Sequence, residues 1–593
     1  MIGTLTELIV RKANAPRARP ARERSHEMLS PERYSCLGEL LRDALVQFKT
    51  NTALIEASRK REARRLTYLD FKNSALPIAR WLEDAGIGAG DRVAILMSNQ
   101  SRWLAGAYAA MVRGAVIVPL DYKLDAEEQA ALLRHAGPRA LLVEHALLRR
   151  FDRAALPEMA LVLASEAPGT DPLPGAERWE EIESRIGPEP TFVPRARQDV
   201  ATIVYSSGTG GRPKGCMLTH DNYLEQYGAL SRLFPMVEGH RVFSILPTNH
   251  AIDFMVGFIG PLCGGATVVH QRSLRPELVN WTMRQYRITH MALVPLVLEA
   301  FERRIQERLD ELSPTERALF ESMTTLNEAL TDKQPNLRLS RTLLKGVHDA
   351  FGGALEMLIC GGAFVDPRRA DLFYRLGIPV VIGYGLTEAC TVVTVNDLRP
   401  FRSDSVGRSV DGVEVRIADA DDDGVGDVLV RGRTVMKGYL DDEELTAETV
   451  RDGWLHTGDI GWLDASHHLH LVGRAKNMIV TAGGKNIYPE DVEATFDGVD
   501  CEELAIFATN FLWPGGRLDE EVLVAVARAE GDAASPLARA LQERNGLLPD
   551  FKRVRGLLRW EDEFPRTASM KLKRAALAGQ IRERLDRGAI EEI

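Results

Sequence analysis

The sequence predicts an α/β protein in which a large N-terminal domain of layered sheets is followed by a small α+β domain. The 593 residues are too many for one compact domain. From Tyr68 onward, helical and strand patterns alternate, which is typical of sheets with helices on their faces. After about Arg474 short strands replace this alternation. We therefore expect a poorly ordered arm over residues 1–33, a ligand-binding domain over 34–474 and a second domain over 475–593.

The first elements of the large domain follow from the spacing of its apolar residues. Apolar side chains recur at helical spacing from Tyr68, and an apolar strand is predicted at 92–96. A second helix over 103–112 is followed by a strand over 115–119, which gives the order strand, helix, strand. Later strands of the same kind are predicted at 266–269, 291–294, 357–360 and 380–382.

A helical insertion interrupts this alternation at about 297–352. Phe301, Ile305 and Leu309 share one face of a helix. Ser313 and Glu316 have the spacing of a capping box, so a second helix is predicted to begin there. Two interpretations stay open: a structural hairpin packed on the sheet, and a lid or entrance for an apolar substrate.

Composition excludes several classes of protein. The net charge of −10 argues against a general nucleic-acid binder. The six cysteines have no CxxC spacing, so we expect neither a zinc site nor a disulfide framework. Neither a membrane-spanning run nor a signal peptide is evident, and we expect a cytoplasmic protein. The arginine-rich arm leaves contact with a membrane surface open as an alternative, and the oligomeric state is not predicted.

The segment 206–215 has the character of a phosphate-binding loop. It contains four glycines, three hydroxyl residues and a lysine, and it follows the apolar run 201–205. Glycines let backbone N–H groups turn toward an anion, while hydroxyls and a lysine add donors and positive charge. It is not a Walker A loop, because Cys216 stands where that motif has its lysine.

Further short motifs follow in order. Gly-Gly-Ala at 361–363 and Gly-Tyr-Gly-Leu-Thr-Glu at 383–388 come directly after predicted strands, where ligands collect in open α/β sheets. Thr-Gly-Asp at 457–459 places a carboxylate on a tight turn. Arg474 and Lys476 then precede a basic segment near the C-terminus that contains Lys571. Each motif alone is common in proteins.

Taken together and in this order, the motifs resemble those of the adenylate-forming, or AMP-binding, superfamily, with a pattern like that of long-chain fatty acyl-CoA synthetases. The resemblance extends from about residue 38 to 580 and includes Arg-Gly-x-x-x-Met-x-Gly-Tyr at 431–439. It implies an adenylate-forming large domain that binds ATP and acid, and a C-terminal domain that is mobile.

The resemblance also implies roles for individual residues. It assigns the β and γ phosphates of ATP to Ser206, Ser207, Gly208, Thr209, Gly211 and Lys214. It assigns adenine to Gly361, Gly362, Ala363, Tyr384 and Gly385, the α phosphate to Thr387, and ribose to Asp459 and Arg474. Glu388 would hold Mg²⁺, Lys476 would lie at the hinge, and Lys571 would bridge the carboxylate and the α phosphate.

The implied reaction has two halves: a carboxylate forms acyl-AMP and pyrophosphate, and a thiol then takes the acyl group. Coenzyme A is the expected thiol, and a medium- or long-chain fatty acid is the expected acid. The acyl pocket would include His250, Phe254 and Gly257. An acyl carrier protein ligase and a fatty acyl-AMP ligase are the alternatives. A non-catalytic relative is a remote one, suggested by two departures from the family pattern, Gly210 and Met570.

Overall fold

The computed structural model describes residues 28–151, 161–206, 214–480, 486–513, 522–529, 534–567 and 572–593. The predicted arm therefore lies mostly outside the described residues. Five of the predicted site residues also lie outside them: Ser207, Gly208, Thr209, Gly211 and Lys571. The first described element is a 3₁₀ turn at Pro31–Arg33.

Two large sheets form the N-terminal part, and both mix parallel and antiparallel strands. The nine-stranded sheet has the spatial order Arg408–Ser409, Thr394–Val395, Val380–Tyr384, Met357–Gly361, His290–Leu293, Arg241–Ser244, Thr267–Gln271, Thr52–Ser58 and Arg61–Thr67. The eight-stranded sheet has the order Gly438–Tyr439, Lys214–Thr219, Val200–Ser206, Val116–Pro119, Arg92–Leu96, Ala140–Glu144, Leu161–Ser165 and Glu177–Arg178.

Helices cover these sheets and bury their apolar faces against them. The helix Tyr68–Asp84 is capped by Thr67 and buries Phe71, Ile78 and Leu82, as its spacing predicts. Other helices are Leu37–Gln47, Ser101–Val112, Ala126–Ala136, His145–Leu148, Trp179–Glu183, His220–Leu233, Gly260–Gly264, Pro276–Tyr286 and Pro367–Arg375. The α/β class is thus confirmed, and each predicted strand is present within two residues of its expected bounds.

The insertion consists of the helices Pro295–Asp310, Pro314–Thr331, Leu337–Leu343 and Lys345–Ala350. The capping box is present: Ser313 Oγ accepts from the Glu316 backbone N–H, and the Glu316 carboxylate accepts from the Ser313 backbone N–H. Phe301 and Ile305 pack against the core beneath the nine-stranded sheet. The insertion is therefore anchored at its first helix, and also at its second, where the Tyr374 hydroxyl donates to the Thr331 carbonyl at 2.6 Å.

Two further sheets follow. A five-stranded antiparallel sheet contains Val413–Ala418, Gly426–Gly432, Trp454–Leu463, Val450–Arg451 and Leu469–Arg474, with the helix Glu443–Thr449 beside it. The C-terminal sheet contains Glu503–Ala508, Leu523–Arg528, Val554–Arg559 and Glu591–Glu592. Helices Pro489–Thr495, Thr509–Leu512, Ala534–Asn545 and Arg574–Arg584 pack on it, and Ile479–Val480 pairs with Asn486–Ile487. This small α+β unit agrees with the predicted class, while the boundaries at 33 and 474 stay predictions.

One cluster of charged side chains joins the C-terminal part to the large sheets. The guanidinium of Arg369 lies 3.5 Å from the carboxylate of Asp497, and it also pairs with Glu302. Asp366, which caps the helix of Arg369, shares a hydrogen bond with Asp497. The two carboxyl groups therefore meet beside one arginine.

No helix within the described ranges combines the length and the apolar character that a membrane span needs.

Candidate active site

A cavity of about 930 Å³ opens where the strand ends of the two large sheets meet the five-stranded sheet. Most of the sequence-predicted site residues that the structure describes line it. These are Lys214, Gly361, Gly362, Tyr384, Gly385, Thr387, Glu388, Arg474, Lys476 and His250. Segments more than 200 residues apart in sequence thus meet at one site, as the motifs predict.

Asp459 lies directly behind the cavity wall. Its carboxylate accepts a 2.6 Å hydrogen bond from the Tyr384 hydroxyl and another of 2.6 Å from Arg474 Nε. Burial and the Asp459 charge raise the pKa of Tyr384, so its phenol stays protonated and donates. The Thr-Gly-Asp turn is fixed by Thr457, whose hydroxyl accepts from the Asp459 N–H and donates to the Val428 carbonyl.

The turn that carries Thr387 and Glu388 is held by close backbone packing. At Gly385 a Cβ atom would lie 1.4 Å from the Thr391 carbonyl oxygen, so only glycine fits there. Thr387 and Glu388 form a short 3₁₀ turn, and the Met436 N–H donates to the Glu388 carbonyl at 2.8 Å. This packing presents the Glu388 carboxylate to the cavity.

The donor set around Glu388 suits a magnesium ion that is shared with a nucleotide. Within the part of the chain that the structure describes, there is no group of three or more His, Cys, Asp or Glu side chains that could hold a metal. Mg²⁺ is usually bound by one or two carboxylates together with substrate phosphates, rather than by an all-protein cage. Glu388 supplies one such carboxylate to the cavity, and Thr387 and Lys214 line the same cavity.

Besides Asp459 and Ser206, three predicted residues of the described ranges do not line the cavity. Phe254 packs in the core, with its ring centroid 5.1 Å from that of Tyr223 and 6.1 Å from that of Trp103. Gly257 faces the carboxylate of Asp253, which lies about 2.5 Å from where a Cβ would be. The structure therefore corrects the pocket assignment of Phe254 and Gly257. Ala363 is exposed to solvent outside the cavity.

The correction has a local cause. Residues Phe254–Ile259 form a π-helical turn, which has one more residue per hydrogen-bonded ring than an α-helix and so shifts the face that points inward. The side that lines the cavity consequently carries Ile252, Met255, Val256 and Gly260.

The cavity has an apolar limb, which these four residues form together with four others. The others are Tyr227, Leu230, Phe234 and Met236, from the helix His220–Leu233 and the segment after it. The sulfur of Met236 lies 3.7 Å from the Cβ position of Gly260, which places the two segments opposite each other. Sequence reasoning did not find these four residues, because helical spacing alone cannot show which element faces a cavity.

The C-terminal part also reaches the cavity. Thr567 and Lys573 line it, and they lie on either side of the segment that contains Lys571. Lys571 itself lies outside the described residues, as do Ser207, Gly208, Thr209 and Gly211 of the glycine loop; Ser206 ends the strand that leads into that loop. Asp121, which lies 3.7 Å from His250 Nε2, also lines the cavity and was not predicted.

The site thus combines a polar end, rich in nucleotide-binding motifs, with an apolar limb. Residues 41–440 match the family of AMP-binding enzymes, and the chain belongs to this family. A feruloyl-CoA synthase from Amycolatopsis is 30% identical over 88% of this chain and 94% of its own. The long-chain-fatty-acid–CoA ligase FadD15 from Mycobacterium tuberculosis is 29% identical over 72% of each chain.

Comparison of folds agrees. The crystal structure of the anthranilate CoA ligase AuaEII in complex with anthranoyl-AMP superposes with a TM-score of 0.74, at 21% identity, over 93% of this chain and 99% of that one. The predicted fold class and the predicted enzyme class, an AMP-forming acid–thiol ligase, are confirmed by the family and these relatives. Adenylate-forming CoA ligases use ATP, Mg²⁺ and CoA.

Proposed function

We propose that this protein activates a medium- or long-chain fatty acid as acyl-AMP and then transfers the acyl group to coenzyme A. The observation that carries the proposal is the apolar limb, which leads away from the polar end of the cavity. Ile252 and Gly260, on either side of the π turn, both line this limb, and Met236 lies opposite Gly260. An extended alkyl chain suits an apolar limb of this composition.

In this proposal the polar end holds the nucleotide. Tyr384, Gly361 and Gly362 would contact the base, while Asp459 and Arg474 would orient the ribose. Lys214 would meet the phosphates, whose negative charge an ammonium group stabilises. Ala363, exposed outside the cavity, has no part in this assignment.

Two further positive charges, Mg²⁺ and the Lys571 ammonium, would offset the repulsion between the substrate carboxylate and ATP. Glu388 would hold Mg²⁺, which would supply positive charge that offsets the negative charge of the phosphates. We propose that Lys571 contacts the carboxylate, because the residues on both sides of its segment line the cavity. Two like charges 4 Å apart cost about 4 kcal/mol at an effective dielectric constant of 20, so such a cation changes the barrier substantially.

Coenzyme A is the acceptor that we propose, because the relatives are CoA ligases by name. Lys476, in the 3₁₀ turn Ala475–Asn477 between the last strand of the large part and the C-terminal unit, would act at the hinge of a domain movement between the two half-reactions. An aromatic acid is the second candidate, because a feruloyl-CoA synthase and an anthranilate CoA ligase are among the similar proteins.

A pair of variants along the limb separates these acids. Ile252→Trp narrows the limb near His250, whereas Met236→Trp narrows it opposite Gly260. We expect Met236→Trp to lower kcat/KM for acids of twelve or more carbons at least tenfold, while hexanoate changes less than twofold. Ile252→Trp should impair all acids. If feruloate or anthranilate is activated better than every fatty acid of eight or more carbons in the unaltered enzyme, the fatty-acid proposal fails.

A further inference from the structure

Tyr439 connects three parts of the candidate nucleotide site, although the mechanism above does not use it. It belongs to the short strand Gly438–Tyr439, which pairs antiparallel with Lys214–Thr219, so that Tyr439 lies opposite Cys216. The Leu440 N–H donates to the Gly215 carbonyl at 2.7 Å. The strand that carries Tyr439 is therefore fixed to the residues that leave the glycine loop.

The phenol of Tyr439 points to the carboxylate of Glu388. Its hydroxyl donates a 2.9 Å hydrogen bond to Glu388 Oε1, and a hydrogen bond from the Thr449 side chain reaches the phenol oxygen. A phenol is protonated at neutral pH, so Tyr439 is the donor to this carboxylate. The Lys214 ammonium lies 5.8 Å from the centroid of the same ring.

These contacts restrict the orientation of the Glu388 carboxylate. A carboxylate has two oxygens, and when one of them is held by a buried donor the other is presented in a fixed direction. Because Tyr439 is only 5% exposed and its strand is paired, the donor itself has little freedom.

We propose that Tyr439 is a positioning residue that orients the Glu388 carboxylate for a magnesium ion bound together with the nucleotide. This inference rests on the proposed role of Glu388. Loss of the Tyr439 hydroxyl should weaken magnesium-dependent nucleotide binding and should leave magnesium-independent binding almost unchanged.

The test is Tyr439→Phe, which removes the hydroxyl and keeps the ring under Lys214. Binding of the non-reactive analogue α,β-methylene-ATP is measured by calorimetry, with magnesium titrated and with EDTA. A hydrogen bond to a charged group contributes enough that we expect the magnesium concentration for half-maximal binding to rise roughly tenfold. Affinity in EDTA should change less than twofold. Equal weakening in both conditions, or no change in either, overturns the inference.

Two further variants complete the design. Tyr374→Phe is the matched control, because it removes a buried phenol hydrogen bond, 2.6 Å to the Thr331 carbonyl, outside the cavity. Glu388→Gln tests the underlying role: if it leaves the magnesium dependence unchanged, the proposed function of Glu388 fails and this inference with it. If Glu388→Gln changes the magnesium dependence of nucleotide binding but Tyr439→Phe does not, only the inference about Tyr439 fails. When Glu388→Gln is already present, adding Tyr439→Phe should change the magnesium concentration for half-maximal binding less than twofold.

Discussion

The hydroxyl of Tyr384 donates a 2.6 Å hydrogen bond to the carboxylate of Asp459, and this contact joins the nine-stranded sheet to the five-stranded sheet at the cavity. Because Arg474 binds the other carboxylate oxygen at 2.6 Å, Asp459 is held from two sides. The pair thus fixes the relative position of the residues that we assign to base and ribose.

Asp459→Asn should weaken ATP binding at least tenfold. The amide cannot accept from both partners and offers no charge to Arg474, so the proposed ribose contact is disordered as well as weakened. The KM for ATP in acid-dependent pyrophosphate release measures this effect. The control is Asp411→Asn, an exposed carboxylate that pairs with Arg232. A KM for ATP within twofold of the unaltered enzyme contradicts the assignment.

Asp253 should make the stability of the large domain depend on pH. Burial raises the pKa of this carboxyl to about 7, although hydrogen bonds from Ser244 and Thr248 act in the opposite direction. The folded pKa of Asp253 lies above its unfolded value. The contribution of this carboxyl group to the free energy of unfolding is therefore fully present below about pH 4 and is lost as the pH rises through 7.

Asp253→Asn should remove this dependence. Relative to the unaltered protein, the variant should gain more than about 1 kcal/mol of unfolding free energy between pH 5 and pH 8, since one pKa unit corresponds to about 1.4 kcal/mol. Urea unfolding at the two pH values, followed by tryptophan fluorescence, measures the difference. If the free energy of unfolding changes equally with pH in both proteins, Asp253 does not cause the pH dependence.

The contact of Asp497 with Asp366 and Arg369 should also weaken as the pH rises, as the contribution of Asp253 does. Burial and the neighbouring Asp366 raise the pKa of Asp497 to about 6, while Arg369 opposes this shift; Glu299, Glu302 and Arg368 are the other charged groups nearby. The contact between the C-terminal unit and the large sheets is thus favoured below about pH 4 and weakens as the pH rises through 6.

Small-angle scattering at pH 5 and pH 8 tests this contact. The radius of gyration should increase with pH in the unaltered protein and should change less in Asp497→Asn, whose amide does not titrate. Asp550→Asn, an exposed carboxylate paired with Arg553, is the control. If Asp497→Asn shows the same increase as the control, the two carboxyl groups do not govern the contact.

Sequence predicted the fold class, and most of the described residues that it assigned to the polar end line one cavity, because strand ends followed by glycine-rich turns have strong local signals. The acyl limb was less predictable. The π turn at Phe254–Ile259 changes which face points inward, and apolar spacing does not reveal it, so Phe254 and Gly257 were assigned wrongly. Tyr439 was recognised only as part of a motif, since its contact with Glu388 depends on long-range pairing with Cys216.

In the proposed reaction the chain forms acyl-AMP before any thiol takes part. The most direct measurement is acid-dependent release of pyrophosphate from ATP in the absence of coenzyme A, for the unaltered enzyme and for Lys571→Ala. We predict release with dodecanoate by the unaltered enzyme and a loss of at least a hundredfold in Lys571→Ala, which should still convert supplied dodecanoyl-AMP and coenzyme A to thioester. Absence of acid-dependent pyrophosphate release with every acid, or equal loss of both half-reactions in Lys571→Ala, would contradict the account.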